Sequence, residues 1–252
     1  VAKLPENKDK NRYVNVYPSD NARVVLQGDQ DYINASYIDS YGMPKKFIAA
    51  QGPTRDTVVD FWNMIWEQNC QIIVMLTNLF EDALKKCEKY WPEIGFVGRF
   101  GEILVETTED ISYGSYTIRT FRVFVANSND ENCCKTVKHL HFNSWPDHGV
   151  PVSTTAFLKF YDIVMETYQR DFVLTPIVVH CSAGVGRSGT FIALDSLLEE
   201  QRATQAVNVF ETVLAMRRKR TLMVQTSSQY IFLHRLMVEL LCLPKTEFSI
   251  LE

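Results

Sequence analysis

Val178-Val179-His180-Cys181-Ser182-Ala183-Gly184-Val185-Gly186-Arg187-Ser188-Gly189-Thr190 joins an apolar run to a small-residue loop and then to a helical pattern. Ile177 to Val179 predicts a short buried strand, and Phe191, Ile192, Leu194, Leu197 and Leu198 recur at helical spacing. The chain must turn sharply between the two. Gly184, Gly186 and Gly189 permit that turn and let backbone N–H groups approach a bound oxyanion, as at other loop-to-helix phosphate sites. Arg187 adds a planar fork of donors for the same anion. Cys181 stands at the foot of this cradle. The helix N-terminus, the inward amides and Arg187 all favour its thiolate, so the sequence predicts a nucleophile ionised at neutral pH. Most free cysteines simply pack as small hydrophobes, but a cysteine six residues before Arg187-Ser188, between strand and helix, is a far more specific pattern.

Outward from this unit, helical and strand patterns alternate. Val58, Phe61, Trp62, Ile65 and Trp66 line one side of an expected helix, and Ile72 to Leu76 follows as a buried strand. From Ile103 to Phe142 the pattern is mostly strand-like; Tyr116 and Ile118 alternate in one register and Phe121, Val123 and Val125 in the other, which predicts a bulge near Thr120. Ser153-Thr154-Thr155 offers an N-cap before Phe157, Tyr161, Val164 and Tyr168. Asn208 with Glu211, and Thr226 with Gln229, read as capping boxes of two later helices, and Pro244 ends the last. Together these elements predict an α/β domain with a mixed twisted central sheet flanked by helices.

A length of 252 residues permits one large domain or two small ones. No linker, repeat or low-complexity stretch divides the chain, so one domain over residues 1–252, with its core at about 5–241, is expected. The net charge of -4 argues against nucleic acid as the principal partner. Arg217-Arg218-Lys219-Arg220 is the local exception, read as a solvated helix C-terminus whose cations complement the macrodipole; attraction of an acidic or phosphorylated protein is the alternative. Apolar runs are too short for a transmembrane helix. The start at Val1 predicts an excised or processed piece, with any membrane anchor outside it and no membrane contact required of this part. Six cysteines, Cys70, Cys87, Cys133, Cys134, Cys181 and Cys242, are too sparse for a disulfide scaffold and fit a reducing cytoplasm.

A thiolate that attacks phosphorus leaves an alkoxide or phenoxide in need of a proton. Trp145-Pro146-Asp147-His148-Gly149 offers the donor: a carboxylate between proline and glycine, anchored by an aromatic ring, on a loop able to swing over the cradle. Burial there raises a carboxyl pKa above its usual value near 3.9.

At this point the residues closely resemble the catalytic domain of the classical protein tyrosine phosphatases. The likeness runs through Lys10-Asn11-Arg12-Tyr13, Asp31-Tyr32-Ile33-Asn34-Ala35, Gln51-Gly52-Pro53, Asp60-Phe61-Trp62, Lys86-Cys87 with Tyr90-Trp91-Pro92, Trp145-Pro146-Asp147, the His180 to Gly189 loop and Val224-Gln225-Thr226. Tyr13-Val14-Asn15-Val16 and Trp145 to Gly149 are closest to receptor-type members. The resemblance implies that Cys181 forms a phosphocysteine while Ser182, Ala183, Gly184, Val185, Gly186 and Arg187 hold the phosphoryl oxygens. It implies that Asp147 protonates the tyrosyl oxygen and later acts as base, that Gln225 orients water, and that Ser188 helps the thiolate leave. Tyr13 would stack on the substrate ring, Glu81 would pair with Arg187, and Lys86 would approach the acid loop, with His180, Trp145 and Gln229 in support. Tyrosine-phosphorylated proteins are the implied partners, and neither metal nor cofactor is required, because Arg187 and the loop amides supply the charge stabilisation. A cytoplasmic setting follows, as a separate domain or as the inner portion of a single-pass receptor. Two positions depart from the family pattern: Asn15 stands where many soluble members have aspartate, which predicts weaker peptide binding, and Leu222 where some have glycine, which predicts a narrower rim.

Parts of the pattern are compatible with other chemistries. His139 and His141 on one strand face, with His148 nearby, have a spacing a zinc hydrolase can use, although paired strand histidines are usually structural. A phosphotyrosine-binding module without turnover fits poorly with Cys181, Asp147, Arg187 and Gln225 all present. A sulfur-transfer or peroxide-reducing enzyme also employs an exposed thiolate.

Overall fold

The computed structural model describes residues 1–126, 134–146, 149–171 and 175–242. Asp147, His148, Cys133 and Pro244 lie outside the described residues. The strands are β1 Arg23–Val25, β2 Tyr32–Ser40, β3 Met43–Ala50, β4 Ile72–Met75, β5 Phe80–Glu81, β6 Leu84–Lys85, β7 Val97–Phe100, β8 Ile103–Ser112, β9 Tyr116–Val125, β10 Cys134–Phe142 and β11 Ile177–His180. The helices are α1 Val58–Glu67, α2 Thr154–Asp171, α3 Gly186–Thr204, α4 Val209–Lys219 and α5 Ser227–Cys242, after a 3-10 turn over Pro5–Lys10. Among the described residues, nine strands form one mixed sheet in the order β1-β2-β3-β11-β4-β10-β9-β8-β7, and β5 and β6 form a separate hairpin.

The four middle strands, β3, β11, β4 and β10, are parallel. Parallel strands are covered on both faces, and β4 (Ile-Ile-Val-Met) and β11 (Ile-Val-Val-His) are accordingly apolar runs buried at every residue. Alternate side chains enter two cores. Ile72, Val74, Ile177 and Val179 pack with Phe157, Phe191 and Leu233 from α2, α3 and α5. Ile73, Met75 and Val178 pack with Phe61, Trp62 and Ile65 of α1 and with Tyr90 and Trp91.

This two-sided burial explains the register change in β9. Tyr116 and Ile118 serve the first core and Phe121, Val123 and Val125 the second, while β9 pairs with β10 without interruption. The predicted bulge therefore moves. The irregularity lies in β8 between Thr107 and Glu109, opposite Phe121 and Thr120.

The helix starts follow the capping residues. Ser153 Oγ accepts from the Ala156 N–H at 3.1 Å. Thr226 and Gln229 form a reciprocal box: Gln229 N–H donates to Thr226 Oγ1 at 3.2 Å and Thr226 N–H to Gln229 Oε1 at 3.2 Å. The box at Asn208 is only half made by its own helix. Asn208 Oδ1 accepts from Glu211 N–H, but the Asn208 N–H is taken by Glu200 of α3. No helix among the described residues is long and apolar enough to cross a membrane.

Candidate active site

Cys181 follows directly on β11, at the C-terminal ends of the parallel strands, where open α/β sheets place their ligand crevices. A cavity of about 320 Å3 opens over it, lined among others by Tyr13, Asn15, Lys86, Arg187 and Gln225. Cys181 is buried, and the Gly184 N–H donates to its Sγ at 3.2 Å. The loop then enters α3 at Gly186 with Val185 as N-cap residue. Valine carries no side-chain acceptor, so the first-turn N–H groups of a 19-residue helix remain for an anion.

Close packing fixes the loop's shape. Gly184 has φ +70°, and a Cβ there would lie 2.1 Å from the Ala50 carbonyl oxygen. Behind the loop, Arg220 is fully buried; its Nε donates to the Gly184 carbonyl at 2.8 Å and Nη2 to those of Ala183 at 3.0 Å and to Asn34 Oδ1 at 2.7 Å. Holding carbonyls at the rear turns the opposite edges of the same peptides toward the cavity. Burial lowers the Arg220 guanidinium to about 10, still charged at neutral pH. The reading of the basic run as a solvated helix end therefore fails at this residue. Only Arg218 fits it plainly, since Lys219 pairs with Asp39 and Arg217 bonds Met223 and Val224. Spacing along a helix carries no sign of this re-entry, because what buries Arg220 comes from β2 and the cysteine loop.

Arg187 is locked by its partners. Nη1 donates to Glu81 Oε1 at 2.6 Å and Nη2 to Oε2 at 2.9 Å, a bidentate fork, while the Leu76 and Pro146 carbonyls accept at 3.0 and 3.1 Å. Burial pushes the Glu81 carboxyl up, but the Arg187 bonds and charge, with the Asn78 N–H and Thr77 hydroxyl, outweigh it and hold it below its usual range. The β5–β6 hairpin thus presents the Glu81 carboxylate to Arg187. Trp145 is buried and donates from Nε1 to the Gly149 carbonyl at 3.2 Å, fastening the two ends of the loop that contains Asp147.

The wall of the cavity is assembled from distant segments. Arg12 donates from Nε to Gly52 and from Nη2 to Pro53, at 2.9 and 2.7 Å, which carries Tyr13 to the rim. Tyr13 Oη and Ser182 Oγ lie 2.8 Å apart, and Ser182 Oγ donates to the Lys86 carbonyl at 2.9 Å. On the other side Gln225 borders the cavity with Gln229, whose Oε1 accepts from Gln225 N–H at 2.9 Å. Leu222, in the left-handed region at φ +64°, is not among the residues lining the cavity. Ser188 Oγ is fully buried one residue beyond Arg187 and has no hydrogen-bond partner among the described residues.

Beneath Cys181 runs a buried polar chain that the sequence motifs named only in part. His180 bonds the Cys181 carbonyl through Nδ1 at 3.2 Å and the Tyr90 hydroxyl through Nε2 at 2.7 Å, and Tyr90 reaches His139 Nε2 at 2.9 Å. Burial drives His180 down to about 3 and His141 to about 4, so both rings are neutral. His141 Nε2 bonds the Thr77 carbonyl. The paired strand histidines are thus built into the core, and among the described residues no group of three or more His, Cys, Asp or Glu is arranged to hold a metal ion.

This geometry accompanies a relationship over almost the whole sequence. The family model described as protein-tyrosine phosphatase matches residues 7–239. Receptor-type tyrosine-protein phosphatase eta of Gallus gallus is 44% identical across 96% of this chain, which spans 17% of that protein. Receptor-type tyrosine-protein phosphatase C of Homo sapiens is 43% identical across the full chain, which spans 19% of it, and a Lar-like tyrosine-protein phosphatase of Caenorhabditis elegans is 44% identical across 90% of this chain and 10% of its own length. The chain therefore spans about a fifth or less of these relatives. With a cysteine cradle, a carboxylate-locked arginine and a family match from Asn7 to Glu239, the chain belongs to the protein-tyrosine phosphatase family.

Proposed function

We propose that this domain hydrolyses phosphotyrosine in proteins through a phosphocysteine. The phosphoryl oxygens sit in the N–H groups of Ser182 to Arg187 and in the Arg187 fork, and the Cys181 thiolate attacks phosphorus in line. The S–P bond forms as the P–O bond to the tyrosyl ring breaks, and Asp147 gives its proton to the departing phenolate. A water then attacks phosphorus, oriented by Gln225 and deprotonated by the Asp147 carboxylate; the S–P bond breaks, inorganic phosphate leaves, and a hydrogen bond from Ser188 steadies the returning thiolate. The transition state is loose, so fixed donors supply most of the rate enhancement. Tyr13 stacks on the substrate ring and sets a depth that a phosphoseryl side chain does not span. Asn15 and Lys86 contact the substrate and the acid loop from the rim.

The observation that carries this reading is Cys181 Sγ beneath a Gly184 N–H and the uncapped start of α3, beside an arginine held bidentate by Glu81. The receptor-type names of the relatives support a cytoplasmic placement as the inner portion of a membrane receptor. Phosphate release from a phosphotyrosyl peptide, with a phosphoseryl peptide as control, tests the assignment. Cys181→Ser is expected to abolish turnover while retaining substrate, and Asp147→Ala to lower kcat by roughly 10². Brisk turnover with no adduct of ~80 Da on Cys181 in quenched samples would overturn the covalent route.

A further inference from the structure

The peptide that joins Val224 to Gln225 is gripped at both edges. Its N–H, belonging to Gln225, donates to Gln229 Oε1 at 2.9 Å. Its carbonyl, belonging to Val224, accepts from Arg217 Nη2 at 2.7 Å, and Arg217 Nε holds the preceding Met223 carbonyl at 2.8 Å. The grip works against the backbone's own preference. Val224 has φ +55°, a left-handed conformation unfavourable for a β-branched residue, two positions after Leu222 at φ +64°. Val224 N–H is tied to the Val185 carbonyl of the cysteine loop at 3.0 Å, and the absence of a Cβ on Gly189 lets this strained turn approach, since one there would lie 2.4 Å from Val224 N. Gln225 is thereby carried into the cavity, its Oε1 3.4 Å from where a Cβ on Gly186 would stand.

We propose that Arg217 is a positioning residue for the second chemical step, holding the Val224–Gln225 peptide plane so that Gln225 meets the water that attacks the phosphocysteine. The inference rests on the water-orienting reading of Gln225. In that step the water oxygen bonds to phosphorus as the S–P bond breaks, the electron pair returns to Cys181 Sγ and the water proton passes to the Asp147 carboxylate. Arg217 touches none of these atoms. The first step uses Cys181, the loop amides and Arg187, which Glu81, Arg220 and the Leu76 and Pro146 carbonyls hold directly; Arg217 reaches the cysteine loop only through the single Val224 N–H to Val185 carbonyl bond. Loss of Arg217 thus slows hydrolysis of the intermediate while leaving its formation nearly intact.

Rapid-quench kinetics with para-nitrophenyl phosphate separates the two steps, and this small substrate has no flanking residues for Arg217 to touch. Arg217 is exposed, and Arg217→Met keeps the stem and removes only the donors; its urea midpoint beside the parent's checks that the turn of Met223 and Val224 stays folded. The expected result is a burst of about one nitrophenol per enzyme, a steady rate about tenfold below the parent, kcat/KM within about threefold of it, and accumulated phosphoenzyme. Arg217→Lys, with one point donor instead of a fork, falls between the two. Unchanged kinetics, or kcat and kcat/KM falling together without a burst, overturns the proposal. Gln225→Ala run in parallel separates the failures: a burst there but none in Arg217→Met refutes the role of Arg217 alone, whereas no burst in Gln225→Ala removes the reading of Gln225 and the proposal with it.

Discussion

Gly184 shows how much a single residue controls. Its φ of +70° by itself disfavours any side chain, and the Ala50 carbonyl 2.1 Å from an added Cβ belongs to a sheet backbone that does not yield. Gly28 separates the two effects, with φ +97° but open space around a Cβ. Gly28→Ala is expected to cost about 1 kcal/mol in urea unfolding, the left-handed penalty alone, and to leave turnover unchanged. Gly184→Ala is expected to cost more than about 2 kcal/mol and to abolish turnover, because the displaced loop no longer aims its amides at one point; equal costs at the two sites would refute the steric argument. Glu81 makes a complementary case, since its carboxylate holds the Arg187 fork by two hydrogen bonds. Glu81→Ala is expected to lower kcat/KM by roughly 10- to 100-fold as the fork loses its fixed plane, and steady-state kinetics on an aryl phosphate measures it. That Cys181 and Arg187 share one cavity was legible in the sequence, because their spacing within one turn is itself the signal. Arg220, Tyr90 and Arg217 were not legible in these roles, because each acts through carbonyls or rings brought near only by the finished fold.

Among the elements, those whose burial is decided locally were read well. The apolar runs of β4 and β11, the one-sided pattern of α1 and the Thr226–Gln229 box all appear where the sequence puts them. The misplaced bulge has a physical cause: β9 passes between two cores, so its buried face changes along its length without any extra residue. Equally invisible was the joint between β3 and α3. Lys46 Nζ lies 2.8 Å from both oxygens of Asp195, which also accepts from Ser40 at 2.6 Å and Tyr161 at 2.9 Å, all in the protein interior. This cluster fixes the helix that carries Arg187 against the strand that supports Gly184. Removing one partner leaves a buried charge unpaired, so Lys46→Met is expected to destabilise by about 3–5 kcal/mol. The double variant Lys46→Met/Asp195→Leu is expected to recover most of that loss, and urea midpoints for the pair decide whether charge or packing dominates; no recovery would favour packing.

Across the whole molecule, the polar chain under the cysteine links stability to pH. His141 and His180 titrate near 4 and near 3 in the fold because burial opposes their charging, and burial, with Arg119, His141 and His180 nearby, takes His139 well below its ordinary value too. In the unfolded chain each titrates near 6.5. Between pH 6.5 and about 4 the unfolded state therefore binds protons that the native state refuses, and unfolding free energy must decline as pH falls. Each histidine contributes at most about 1.4 kcal/mol per pH unit within that window. Glu81 adds to the loss only lower down: its folded pKa is depressed, so its contribution is present above the usual carboxylate range and disappears as pH falls through the folded value. Activity measured in that acidic range is thus expected to carry a contribution from unfolding. Urea midpoints measured from pH 7.5 to 4.5 should be flat above pH 7 and decline from about 6.5. His141→Gln, which has no ring to protonate, should flatten the decline whatever it does to absolute stability; a midpoint constant down to pH 5 in the parent would show that these histidines accept protons within the fold after all.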